Sequence, residues 1–220
     1  MSPLALLAFG FALGMRHATD ADHVVALSTI VSRERSLRAA APIGICWGLG
    51  HTFTVAVVGT LIVACGVVVP TRIGLAMELL VALMLVVLGI FNLRARPQAS
   101  PGHPHSHSRV RWSLRSVAIG MVHGLAGSAA IALLALGTVH SVGWGLAYLA
   151  IFGAGTVAGM MLITTAMAIP LLASAARFAR FHRVLVQVTG VASVAFGLFL
   201  LYDIGVVHGL FTSHPQWTPS

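Results

Sequence analysis

Near its amino terminus the chain reads Arg16-His17-Ala18-Thr19-Asp20-Ala21-Asp22-His23, flanked on both sides by apolar residues. Two imidazoles, two carboxylates and an arginine fall where lipid allows almost nothing polar. A charged side chain at the bilayer centre costs on the order of 3 kcal/mol, so such residues usually face a cavity and mark an ion pathway. Imidazole nitrogen with carboxylate oxygen is a borderline ligand set, suited to divalent first-row transition metals. At about 100° per residue, His17, Asp20 and His23 share one helical face and Asp22 points away. Bringing Asp22 to the same ion requires the backbone to unwind or kink around Ala18–Ala21, and Gly14 eases that distortion. Arg16 stands four residues before Asp20, the spacing of a helical ion pair. The bland alternative is a polar network that only ties helices together.

The elements that must position this cluster are membrane helices. Of 220 residues, 58% are apolar and 8% charged, against about 25% charged in a soluble domain. Runs of about 20 apolar residues are long enough to cross a bilayer. Six are read at 3–27, 42–66, 72–93, 114–137, 144–172 and 184–206. The first and fifth are long enough to be tilted or broken. The expected fold is an all-α polytopic integral membrane protein forming a single permease domain over 1–220.

The formal charge of +8 is explained by topology rather than by nucleic acid. All thirteen basic residues are arginines, and eleven flank three connections: Arg33, Arg35 and Arg38; Arg94, Arg96, Arg109, Arg111 and Arg115; Arg177, Arg180 and Arg183. These follow spans one, three and five, so they share one side. The positive-inside rule makes that side cytoplasmic and both termini external. Cys46 and Cys65 on one helix would stand about 28 Å apart and could not bridge, which weighs against a thiol–disulfide carrier.

The chain repeats itself weakly. Gly14-Met15-Arg16-His17 recurs as Gly120-Met121-Val122-His123, Gly48-Leu49-Gly50 faces Gly153-Ala154-Gly155, and Leu88-Gly89-Ile90-Phe91 faces Phe196-Gly197-Leu198-Phe199. The offsets are 106, 105 and 108. Two halves of three spans each, 1–93 and 113–206, would be inverted relative to one another, an arrangement that builds many secondary transporters. A His/Arg-rich cytoplasmic loop, 94–112, would join them, and 207–220 would be an external tail.

The first motif, from Arg16 to Ala26, resembles the His-x4-Asp-His signature of the nickel/cobalt transporter family. Leu49-Gly50-His51-Thr52-Phe53-Thr54-Val55 resembles that family's second motif on the next helix. The resemblance implies that His17, Asp20, Asp22 and His23 recognise metal, with His51 contributing from the neighbouring helix. The family usually carries one more helix ahead of the first motif, and its absence fits an external amino terminus. The second half departs from the family's later aspartate–threonine motifs. Its segment Gly120-Met121-Val122-His123-Gly124-Leu125-Ala126-Gly127-Ser128 is instead similar to the shorter, urease-accessory-like branch of nickel/cobalt permeases. The likeness covers the first 60 residues and this segment.

The expected function is secondary transport of a divalent transition-metal ion, Ni2+ or Co2+, across the cytoplasmic membrane. The ion is a transported substrate, and no organic cofactor is expected. His123, Arg16, Ser128 and Glu78 are candidates for transport or gating, and His103, His105 and His107 for loop metal capture. Glu78 is read either as a proton-coupling carboxylate or as a residue neutralised near the interface. Expected partners are the metal ion and the lipid bilayer, with room for a homo-oligomer and none for nucleic acid. Two other readings stay open. One is a membrane-embedded metal-binding accessory protein for nickel-enzyme maturation. The other is an intramembrane metalloprotease, although His17 and His23 are six apart with no glutamate between them, unlike a His-Glu-x-x-His helix.

Overall fold

A computed structural model describes residues 3–32, 36–66, 69–94, 114–126, 141–177 and 179–217. Its secondary structure is helical throughout the described residues. In hydrocarbon each backbone N–H and C=O must be satisfied within the segment, and a helix does this without an edge. The helices are α1 Pro3–His17, α2 Ala21–Val31, α3 Leu37–Cys65, α4 Thr71–Arg94, α5 Leu114–Ala126, α6 Val142–Arg177 and α7 Ala179–Tyr202. Four stretches are long and apolar enough to cross a membrane: Ala40–Ile62, Thr71–Arg94, Val142–Ser174 and Arg180–Val207. With the shorter apolar helices they make an all-α polytopic membrane protein. Cys46 and Cys65 are free thiols on the same helix.

The first expected span is two helices, not one. α1 stops at His17, and Asp20 adopts an extended conformation with φ −61° and ψ 148° before α2 restarts at Ala21. The break falls at the polar cluster because side chains take over the carbonyls and amides there. The Thr19 hydroxyl donates to the Arg16 carbonyl at 2.6 Å. The fourth expected span is described only as far as Ala126, so its remainder lies outside the described residues.

Helices meet where glycines let backbones approach. α1 runs alongside α6 in the same direction, with Gly10 at Tyr148, Gly14 at Phe152 and Thr156, and Gly159 at Ala18. α3 and α6 run antiparallel, with Gly48 at Val157, the Thr52 hydroxyl on the Gly153 carbonyl, and Gly59 at Leu149. The contacts recur at fixed offsets. A side chain on Gly14 would strike the Phe152 carbonyl, and one on Gly120 the Trp47 carbonyl. Gly50 seats on Val117, and Gly155 on Phe11. Between α4 and α7, Gly89 meets Gly190 and Val194, while Gly197 meets Ala82 and Val86.

The core threads through the helix break. Ala18, Ala26, Leu27, Trp47, Leu85, Leu88 and Met160 form a buried cluster drawn from α2, α3, α4, α6 and the break itself. Polar knots secure the two ends. At one end the Asn92 amide donates to the Val186 carbonyl at 3.1 Å and to the Thr189 hydroxyl at 3.2 Å, with Ser32 beside it. At the other end a π-turn, Asp203–Val207, and Gly209 at φ +72° fold the carboxyl-terminal tail back over the bundle. There the Trp217 indole donates to Glu78 at 2.7 Å, and Arg72 reaches the Thr212 carbonyl at 3.4 Å.

This packing makes a stability prediction. Gly14→Leu and Gly120→Leu each force a side chain into a facing carbonyl and should destabilise the bundle by about 1–3 kcal/mol, the usual overpacking cost. Gly143, with nothing within 4 Å, should accept alanine without loss. Thermal unfolding of the detergent-solubilised protein measures both, and a Gly120→Leu variant melting with the wild type would contradict the packing described.

Candidate metal centre

Four histidines from three parts of the chain converge inside the bundle. His17 closes α1, His23 lies in the first turn of α2, His51 stands at the midpoint of α3, and His123 is on α5. His23, His51 and His123 are almost wholly buried. Ring centroids lie 4.6 Å apart for His17 and His23, 5.2 Å for His23 and His51, and 4.1 Å for His23 and His123. His23 is therefore the hub. The interrupted helix makes this possible, because the two turns carrying His17 and His23 no longer share one axis.

The carboxylates set the orientation of the rings. Asp20 Oδ2 lies 2.8 Å from His17 Nδ1. Asp22 Oδ1 lies 3.1 Å from His23 Nδ1 and also accepts the His23 backbone N–H at 2.9 Å. Its second oxygen lies 2.8 Å from His123 Nε2. An ionised carboxylate only accepts, so each facing ring nitrogen carries the hydrogen. A neutral imidazole that donates through Nδ1 presents its lone pair at Nε2. This is the outer-shell arrangement that fixes tautomer and orientation in histidine metal sites.

Among the described residues, five nitrogens of these rings are buried without a hydrogen-bond partner: His17 Nε2, His23 Nε2, His51 Nδ1 and Nε2, and His123 Nδ1. Most buried polar atoms in proteins are paired, so such a concentration points to a ligand that supplies the missing interaction. One donor atom each from His17, His23 and His51 lies within 4.8 Å of the others, and the same holds for Asp22, His23 and His123. The donor set suits a borderline transition-metal cation better than a hard one.

The sequence-derived candidates separate accordingly. His17, Asp22, His23, His51 and His123 come together. Asp22, facing away in a straight helix, is brought in by the break between Ala18 and Ala21. Asp20 sits at the rim, half exposed, and engages His17 rather than Arg16. Arg16 is exposed. Glu78 stands apart from the histidines, held by the Trp217 indole, and Asp203 lies 3.2 Å from His208. Ser128 and the loop residues His103, His105 and His107 lie outside the described residues.

Two wall residues escaped sequence reasoning. Trp47 is fully buried with its ring 5.5 Å from that of His123, and Phe152 lies 5.6 Å from the His17 ring. Trp47 precedes His51 by four positions and so shares its helical face, a spacing that could have identified it. Nothing local in the sequence marks Phe152.

The chain is 38% identical over 221 residues to the urease accessory protein UreH of Bacillus sp. (strain TB-90), covering 94% of this chain and 95% of that one. The chain belongs to the UreH family. That family is the urease-accessory branch of the nickel/cobalt transporters whose motifs the first half resembles. No family model matches the chain, and no solved structure matches it.

The carboxylates can be tested apart from the imidazoles. Asp20→Asn and Asp22→Asn should each weaken Ni2+ binding by about 10–100-fold, the usual cost of losing an outer-shell partner. His51→Ala, which removes a ring rather than an orienting partner, should cost more. Isothermal titration of the solubilised protein measures the series, and unchanged affinity in both aspartate variants would contradict the orienting role.

Proposed function

We propose that the chain is a secondary transporter that moves a divalent transition-metal ion, nickel foremost and cobalt by the same donor chemistry, across the cytoplasmic membrane. The observation that carries this reading is the set of five unpartnered imidazole nitrogens buried around a broken membrane helix. Irregular backbone at membrane depth is tolerated where it lines a cavity or is buried in protein, and transporters place their substrate sites there. Kinship with a urease accessory protein favours nickel, because urease is a nickel enzyme.

A hydrated ion entering the bundle exchanges water for the neutral rings of His17, His23 and His51. Asp20 holds His17 and Asp22 holds His23 in the tautomer that can ligate, and their negative charge offsets part of the ion's desolvation cost. Inverted three-helix halves supply the means of alternating access. Their support is the matched glycine contacts, Gly14 on Phe152 with Gly120 on Trp47, and Gly50 on Val117 with Gly155 on Phe11. Equivalent helices pair antiparallel, as a two-fold axis in the membrane plane requires.

Orientation follows from the helix ends. Arg94 and Arg180 to Arg183 adjoin the Asn92 knot, whereas Arg72 and the tail are at the opposite end. The arginine-rich end is cytoplasmic by the positive-inside rule. α1 runs in the same direction as α6, so the amino end joins the carboxyl-terminal tail outside. Proteolysis is disfavoured chemically, because Asp20 and Asp22, the carboxylates beside the cluster, are each engaged by histidine and neither is free as a general base.

Proteoliposomes loaded with a nickel-sensitive dye test the proposal. Wild-type protein should accumulate Ni2+, and His17→Ala and Asp22→Ala should lower the rate by at least about tenfold, as loss of a ligand or its orienting partner does. Tight binding with no flux would assign the accessory role instead. Unimpaired flux in both variants would overturn the site.

A further inference from the structure

His17 and His123 hold equivalent places. Each ends a Gly-Met-x-His tetrad, at an offset of 106, and each follows a glycine seated on a facing carbonyl, Phe152 for one and Trp47 for the other. The other cluster histidines have no such counterpart. At the same offset His23 corresponds to Ala129, and at 105 His51 corresponds to Thr156. His23 thus stands between two matched imidazoles, its ring 4.6 Å from that of His17 and 4.1 Å from that of His123.

The two candidate donor groups meet at the same residue. His17, His23 and His51 form one, and Asp22, His23 and His123 form the other. We propose that these are two successive stations for one ion, which passes between them without leaving His23. This rests on the transport reading above and names its internal step. When inverted halves exchange conformations, each takes on the surroundings its counterpart had. His17, from the first half, and His123, from the second, are the matched pair that exchanges places about His23, which touches both rings.

The chemistry of the step is ligand exchange. The ion gives up His17 and His51 as it gains His123 and the Asp22 side. His123 donates its Nε2 hydrogen to Asp22 at 2.8 Å and has a second nitrogen, Nδ1, that is buried and unpartnered. It can take the ion through Nδ1 with no proton leaving the ring. Keeping one imidazole bound throughout spares the ion full desolvation or full rehydration at the crossing. Asp20 adjoins the first station through His17, whereas Asp22 joins His23 to His123 at the second, so the stations differ in carboxylate and in number of rings, which gives them different affinities.

The test separates binding from movement. His123→Gln retains an amide N–H able to donate to Asp22 but has no imidazole. Nickel-edge X-ray absorption and equilibrium binding on the solubilised variant should still find the ion on the imidazoles of His17, His23 and His51, with a loss of affinity smaller than that of His51→Ala. Vesicle uptake should fall at least about tenfold. His51→Ala should lose both. A His123→Gln protein that transports like wild type overturns the relay and leaves the transport reading standing, because His123 would then only orient Asp22. A variant that loses binding as His51→Ala does also overturns it, since all four rings would then belong to one site. Wild-type protein that binds nickel but moves none overturns the transport reading, and the relay with it.

Discussion

The structure turns on a conflict between imidazole and hydrocarbon. A buried polar atom without a hydrogen bond costs roughly 1–3 kcal/mol by protein measurements, and five such nitrogens crowd around His23. A fold seeking only stability would pair them, for instance with threonine hydroxyls. Those of Thr54, Thr156 and Thr164 instead bond to carbonyls one turn back on their own helices. The rings are held by carboxylates on their other sides, and the nitrogens that face one another are left open. Leaving them unpaired is a strain that a bound cation would relieve.

That strain is sustainable because the surroundings are rigid. Trp47 and Phe152 wall the cluster, and the glycine contacts behind them bring whole backbones into touch. Movement under such packing is discrete, since a close-packed interface has few alternative arrangements and does not deform smoothly. The polar knots around Asn92 and Trp217 hold the two ends of the bundle. The histidines thus lie beside the three-residue gap in the first span, between two tied ends of a close-packed bundle.

Much of this was legible in the sequence, and the reason is physical. Polar residues are so costly in lipid that any cluster of them is a signal, and His17, Asp20, Asp22 and His23 stood out against a background only 8% charged. The need to unwind near Ala18–Ala21 followed from helical periodicity alone, and α1 does end at His17. What periodicity could not give was the partner across the bundle. The bond from His123 to Asp22 joins residues 101 positions apart, and only the packing of α5 on α3 creates it. The partner of Glu78 was hidden for the same reason. Its indole partner, Trp217, arrives from a tail whose return depends on a π-turn and on Gly209 with positive φ.

The division of labour between rings and carboxylates also could not be read from residue types. Histidine and aspartate in one motif count equally as ligands until their facing atoms are known. Here the short distances run from carboxylate to ring, 2.8 Å for Asp20 to His17 and 2.8 Å for Asp22 to His123, which makes the acids orienting partners and, in the proposed site, would leave nitrogen to meet the ion. A site whose inner donors are mainly imidazole discriminates against magnesium and calcium, both of which need oxygen. In the proposed transporter, selectivity against the abundant hard cations would arise from where two aspartates point rather than from their absence. The same two residues would keep negative charge close enough to favour a dication over a monovalent ion, so the proposal has charge and softness screened by different atoms of one motif.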